Sequence, residues 1–274
     1  MKTFLRVILL CSFGVMALSG EPQLPRFVVM ILSYNNAQWY QQNLDSVFMQ
    51  DYPQELWRVV YVDDCSSDNT GQLVAEYIEQ HGYQSRVTLI RNIDRKFMLH
   101  NLYSAVHTQC APEEIIVQLD GDDWFAHAQV LSRLAQEYQN PDIWIVYAQF
   151  QTWPAGERGF AMAATPEVIK KNLFRTVGRM TSPLRSYYAW LFKRIKRRDL
   201  RWHGSFFPMA GDVACMIPMF EMAGERHRFI DEIFYIYNRD TPLNEDKVNG
   251  HLQYGCDAEV RRRGRYKRLS RSLL

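Results

Sequence analysis

The sequence predicts an α/β fold, a mainly parallel sheet flanked by helices and followed by a smaller α+β half. Three observations carry this expectation. Between Phe27 and Phe150, short apolar runs alternate with stretches of helical period, the pattern of right-handed β-α-β units. Several runs end in polar or acidic turns, above all Ile115–Trp124, where IIVQL leads straight into DGDDW. After Phe150 the alternation weakens, and Pro154, Gly156, Gly159 and Pro166 interrupt it.

Taken in order, Phe27–Leu32 reads as a first strand ending in Ser33-Tyr34-Asn35-Asn36. Trp39–Met49 spaces Tyr40, Leu44, Val47 and Phe48 as a helix, which Tyr52-Pro53 stops. Trp57–Val62 is a second strand that has lost alternation, as a strand buried on both faces does. Thr70–Gln80 is a helix with Leu73, Val74, Tyr77 and Ile78 on its apolar face, capped by Asp68 or Asn69 and ended near Gly82. Arg86–Ile90 is a third strand, Met98–His107 a helix and Ile115–Leu119 a fourth strand. A helix over Ala128–Tyr138 and a strand over Ile143–Phe150 follow. Beyond these, a short helix is expected at Glu167–Leu173, a helix at Leu184–Ile195, a helix at Asp212–Ala223 bent at Pro218, and one or two strands in Phe229–Tyr237. In parallel sheets ligands bind beyond the carboxyl ends of the strands. That rule lines up Ser33–Asn36, Asp63–Asp68, Arg91–Lys96 and Asp120–Asp123 along one edge.

Composition sets limits. The 47% apolar and 23% charged content of the 274 residues is ordinary for a globular chain able to bury a sizeable core. The net charge of +2 hides an asymmetry: the last fourteen residues carry +7 with no acid, which leaves 25 basic against 30 acidic residues in the body. By charge the body is no nucleic-acid surface. Residues 246–274 read as a basic tail, either solvated or in peripheral contact with an anionic membrane face or an acidic acceptor. At the other end, Lys2 and Arg6 precede an apolar run from Val7 to Leu18 with Ala17-Leu18-Ser19 behind it. Residues 1–20 therefore read as a signal peptide or a short membrane anchor. The remaining cysteines, Cys65, Cys110, Cys215 and Cys256, have no CxxC spacing. One or two disulfides and free buried thiols are both open to them.

The acidic turn is where chemistry is expected to converge. Carboxylates ~5 Å apart at an effective dielectric of ~20 repel by roughly 3 kcal/mol per pair. Asp120, Asp122 and Asp123 therefore call for something positive, and a divalent cation with oxygen ligands is the natural candidate. A solvated acidic turn is the plain alternative. The second cluster, Asp63-Asp64-Cys65-Ser66-Ser67-Asp68-Asn69-Thr70, opens a helix after the second strand. Its two carboxylates suit the N–H donors of a base or sugar hydroxyls, or the loop simply caps the helix.

Three stretches in this order, VVMILSYN at 28–35, VDDCSSDNT at 62–70 and LDGDD at 119–123, together resemble the family 2 glycosyltransferases of GT-A fold. The resemblance is close over residues 26–150 and loose over 180–245. It implies a nucleotide-sugar-binding half at 24–150, Rossmann-like in character, and an acceptor-side half at 151–245. It also implies transfer of one sugar from a nucleotide-diphosphate sugar, a UDP-sugar by expectation, to a hydroxyl of a carbohydrate, lipid-linked or protein acceptor. Tyr34 would offer a ring face to the base, Asp64 would accept from the base N–H, and Asp63 would join them in donor binding. Asp120-Gly121-Asp122 would be the DxD motif, with Asp122 the more direct ligand of Mn²⁺ or Mg²⁺ and Asp120 shared between metal and ribose. Arg95 would contact the diphosphate, with a solvated loop as the plainer account. Asp212, in Gly211-Asp212-Val213-Ala214, would be the base of an inverting single displacement; as a helix cap it has a structural reading too. Two departures stand out: Cys65 occupies a position the family commonly gives to glycine, and Asn92-Ile93-Asp94-Arg95-Lys96 replaces a glycine-containing stretch.

Two other functions compete. A catalytically silent sugar-nucleotide-binding protein would keep the donor site without cleaving the donor. A sugar-1-phosphate nucleotidyltransferase needs a glycine-rich basic loop after the first strand, which Ser33–Asn36 lacks. The expected location is secretory or extracytoplasmic, or membrane-anchored with a cytosolic catalytic domain.

Overall fold

A computed structural model describes residues 24–178 and 183–270; the expected signal or anchor at 1–20 lies outside them. The sheet is built on β1 (Phe27–Ser33), flanked by β2 (Trp57–Asp63) and β4 (Ile115–Asp120), with β3 (Val87–Arg91) beside β2, all parallel. Both faces of β1 are covered. Val28, Met30 and Leu32 pack into one core, and Phe27, Val29 and Ile31 into the other. That is why these strands read as unbroken apolar runs. Helices α1 (Tyr40–Phe48), α2 (Thr70–Gln80) and α3 (Met98–Gln109) connect them close to the expected bounds. The register brings Ser33 beside Asp63 and Leu32 beside Asp120, so the polar turns emerge at one level of one edge.

After β4 come the two-residue β5 (Trp124–Phe125), α4 (Val130–Tyr138) and β6 (Ile145–Trp153). Here the structure departs from expectation. Leu184–Ile195 is not one helix: α5 (Pro166–Lys171) is followed by a strand, β7 (Arg185–Tyr188), and only then by the short α6 (Ala189–Lys193). β7 lies antiparallel between β4 and β6, bonded on both sides. Ladder hydrogen bonds on both edges, with Tyr187 stacked on Phe192 and Tyr188 on Trp190, outweigh the weak helical spacing. The small ribbon β8 (Arg201–Trp202) and β9 (Ser205–Phe206) precedes α7 (Gly211–Ala223), which continues through Pro218. The stretch read as one or two strands is a single twelve-residue strand, β10 (His227–Asn238), parallel to β6 with two register shifts. The eight-stranded order is β3-β2-β1-β4-β7-β6-β10-β5.

The C-terminal stretch is not a solvated tail. Glu245–Arg262 forms α8, kinked at Asn249, and its Leu252, Cys256 and Val260 pack against the α7 side of the core. The expected arginine tail is largely folded back. Arg261 donates to the carbonyls of Arg175 and Val177, and Arg263 to those of Arg198 and Arg201. Beneath them Arg175 and Glu221, 4% and 0% exposed, form a buried ion pair, and Glu221 also accepts from the Tyr266 amide at 2.9 Å. All four cysteines in the described residues are free thiols. No helix among the described residues is long and apolar enough to cross a membrane.

Candidate active site

The carboxyl ends of β1, β2 and β4 and the amino end of α7 surround a cleft of about 1460 Å³. It is lined by Tyr34, Asp64, Arg95, Asp120, Asp122 and Asp212 among others. Six of the residues singled out in the sequence are therefore brought to one place, and Asp63 is not. As the last residue of β2, Asp63 faces away from the cleft, accepting from the Ser66 hydroxyl. A side chain at Gly71 would meet its Oδ2 at 2.5 Å and Arg91 Nε at 2.8 Å. Asp63 thus lies off the cleft lining while Asp64 lies on it, since neighbouring residues at a strand end point opposite ways; its part in donor binding stands as an expectation.

Asp64 is held firmly. Its Oδ1 accepts from Asn92 Nδ2 and the Lys96 amide, and its Oδ2 from the Phe97 amide, all at 2.8 Å. A carboxylate has about four acceptor positions, so Asp64 fixes the 92–97 loop and keeps one position for a further N–H. That loop returns Arg95 over the Tyr34 ring at 3.6 Å and to 4.7 Å from the Phe97 ring. The ring face expected to receive a base thus carries a guanidinium. The backbone here is strained. Asn35 (φ 54), Cys65 (φ 62), Phe97 (φ 66) and Ala210 (φ 53) all sit at positive φ without being glycine. Cys65 in the left-handed region shows why glycine suits that position.

The acidic turn is built by polar scaffolding. Asn43 Nδ2 donates to the Asp120 carbonyl at 3.0 Å and the Asp123 carbonyl at 2.7 Å. Gly121 is needed for closeness: a Cβ there would lie 2.6 Å from Ser33 Oγ and 2.7 Å from Asn36 Nδ2. Asp123 is fully buried, its Oδ2 accepting from Tyr235 Oη at 2.6 Å and its Oδ1 from the Asn238 amide at 2.7 Å. It ties the turn to β10. Burial, then the charges of Asp122 and Asp120, raise its pKa well above the ordinary carboxylate range. Asp122 lines the cleft, and burial followed by the Asp120 charge pushes its carboxyl up to about 7.

The residue the sequence did not reveal is Arg185 on β7, buried at 4% exposure. Its Nη2 donates to Asp120 Oδ2 at 3.2 Å, and its Nη1 lies 3.6 Å from Asp212 Oδ2. Burial works against the Arg185 charge, but Asp120 and Asp212 more than compensate and raise its pKa overall. Asp212 does not cap α7. The cap position is Ala210, without a side-chain bond, and Asp212 sits in the first turn with its side chain 31% exposed. The Ala210 amide donates instead to Glu245 Oε2 at 2.9 Å. Burial and then the charges of Asp212 and Asp120 push Glu245 up to about 7. Neither Arg185 nor Glu245 lies in a recognisable spacing; each reaches the site only through tertiary packing.

For a divalent cation the donor set is Asp120 and Asp122, oxygen donors on one tight turn. No group of three or more His, Cys, Asp or Glu is gathered as a metal site among the described residues. Two carboxylates suit Mg²⁺ or Mn²⁺ sharing its coordination with substrate phosphates rather than a closed protein cage. The residues present fit such an ion.

Comparison with known proteins agrees with this architecture. The Glycosyl transferase family 2 model matches residues 28–206. The poly(ribitol-phosphate) beta-N-acetylglucosaminyltransferase TarS of Staphylococcus aureus is 40% identical over 52 residues, 19% of this chain and 9% of TarS. The crystal structure of S. aureus TarS 1–349 in complex with UDP-GlcNAc superposes with TM-score 0.60 at 19% identity, covering 79% of this chain and 59% of that one. The mannosyltransferase PcManGT of Pyrobaculum calidifontis, in complex with GDP-Man and Mn²⁺, superposes with TM-score 0.54 at 21% identity, covering 81% and 59%. This chain thus spans less than two thirds of each of these proteins. The sheet order and flanking helices are those of the GT-A fold. With the model matching well over half of its length, the chain belongs to the Glycosyl transferase family 2.

Proposed function

We propose that the protein transfers a single sugar from a nucleotide-diphosphate sugar, a UDP-sugar by preference, to an acceptor hydroxyl with inversion. One observation carries the reading: Asp120 and Asp212, from separate elements, meet the same buried Arg185 across one cleft. The donor's base would lie by Tyr34 and Asp64, whose remaining acceptor position suits the N–H of a uracil. Arg95, next to Tyr34, is placed to swing from the ring to the diphosphate. Asp120 and Asp122 would hold Mn²⁺ or Mg²⁺, which when bound neutralises charge on the departing diphosphate. Asp212 takes the acceptor hydroxyl proton while the acceptor oxygen bonds the anomeric carbon. The nucleoside diphosphate leaves with the electron pair of the broken bond. Arg185, with Nη1 3.6 Å from Asp212 Oδ2, would aim that carboxylate. The acceptor would be a carbohydrate, a lipid-linked sugar or a protein.

The test is a panel of nucleotide sugars scored for hydrolysis and transfer with and without Mn²⁺, with Asp122→Ala as the blank. Metal-dependent cleavage of one donor that is lost in the variant supports the reading. Full activity in Asp122→Ala removes the metal assignment. Binding of a UDP-sugar without any cleavage would make the chain a silent sugar-nucleotide binder.

A further inference from the structure

Two basic stretches far apart in sequence share one surface. Residues 193–201 and 259–268 each carry a net charge of +5, which leaves −8 for the remainder of a chain whose total is +2. The fold staples them together. Tyr266 Oη donates to Asp199 Oδ2 at 2.6 Å and accepts from the Lys196 amide at 2.9 Å, while Arg263 donates to the carbonyls of Arg198 and Arg201. The side chains of Lys196, Arg197, Arg198, Arg262, Arg265 and Lys267 remain exposed around this staple. None of them lines the cleft.

We propose that this surface docks the protein on an anionic phospholipid bilayer. Three observations favour a bilayer over a soluble polyanion. The cations spread over three separate elements, α6, the 197–200 turn and the end of α8 with the residues after it, which matches a broad plane of charge better than a single threaded chain. No large apolar side chain is exposed within either stretch among the described residues, so the contact is electrostatic and reversible. The patch also shares an end of the sheet with the start of the described chain. The Arg26 carbonyl accepts from the Ile115 amide at 2.9 Å, and the adjoining 110–114 loop accepts from Lys193 Nζ at 2.6 Å and from the Trp190 amide at 2.9 Å. The apolar run Val7–Leu18 precedes that same end in sequence. This inference does not depend on the glycosyl-transfer reading.

The experiment is co-sedimentation of the full chain with vesicles of neutral phosphatidylcholine, or of phosphatidylcholine with 30% phosphatidylglycerol, at low and high salt. Each basic residue near an anionic surface is worth about fivefold in partitioning. The combined variant Arg197→Gln, Arg198→Gln, Arg265→Gln and Lys267→Gln should therefore bind anionic vesicles at least a hundredfold more weakly, with neutral-vesicle binding unchanged. Arg133→Gln with Arg228→Gln, on the opposite side of the sheet, should bind as the wild type does. Wild-type binding that ignores the anionic lipid, or a combined variant that retains it, overturns the proposal. So does salt-sensitive capture of inorganic polyphosphate without vesicle binding, which would assign the surface to a soluble polyanion.

Discussion

Asp122→Asn should stabilise the metal-free protein while destroying its metal response. The Asp122 carboxyl is pushed from an ordinary 3.8 to about 7, first by burial and then by Asp120. A shift of about three units at 1.36 kcal/mol per unit sets a ceiling of about 4 kcal/mol. Solvent access and relaxation bring the expected gain nearer ~2 kcal/mol. Because the native carboxyl holds its proton more tightly than the unfolded one, its contribution is complete below about pH 4. It is lost as pH rises through about 7. Asparagine has no proton to lose, so the advantage of the variant should be absent near pH 4, grow toward pH 7 and level off above it. For a chain of this size ~2 kcal/mol corresponds to roughly 4–8 °C in Tm at pH 8. Mn²⁺ at a hundred times its Kd adds about 2.7 kcal/mol to a protein that binds it, and should raise the wild type alone. The assay is calorimetric unfolding at pH 5 and pH 8, each with and without Mn²⁺. A variant no more stable than wild type at pH 8 without metal, or one that gains equally from Mn²⁺, refutes the reasoning.

Asp212→Asn should lower turnover by about 10²–10⁴-fold while leaving the Kd for donor unchanged, read by steady-state kinetics beside calorimetric titration; loss of donor binding as well would speak for a structural role. Arg175→Met leaves Glu221 charged and buried, at a cost of about 3–5 kcal/mol, measurable as a drop in the midpoint of urea unfolding. Cys65→Gly relieves a left-handed backbone and should raise stability by about 0.5–1 kcal/mol, seen as a small rise in that midpoint.

How much of this was legible in the sequence differs by element. β1, β2 and β4 were readable because strands buried on both faces leave apolar runs with polar turns behind them, and the turns carry the chemistry. β7 was not readable: four residues, RSYY, are too few for a period, and their conformation is set by the strands on either side. The same holds for Arg185, one arginine among many until β7 places it between Asp120 and Asp212. Asp63 and Asp64 look equivalent as letters, and only the alternation of side chains at the strand end separates them. In the C-terminal stretch the density of arginine drew attention away from Leu252, Cys256 and Val260, whose four-residue spacing was the helical signal. At Gly121 the packing of Ser33 and Asn36 is what excludes a side chain, a closeness that no letter of the motif records.

The antiparallel strand at the middle of the sheet also bears on how substrates come and go. β7 is bonded to β4 on one side and to β6 on the other, so the stretches before and after Phe150 are not separate bodies joined by a linker. One ladder of main-chain hydrogen bonds runs beneath both. Opening the floor of the cleft as a hinge would mean breaking that ladder. Access is then expected from above, through the loops that rise from the strand ends, among them 92–97 with Arg95 resting on Tyr34. Exchange of substrate and product then becomes a matter of loop motion over a fixed platform, on the microsecond-to-millisecond scale of such segments.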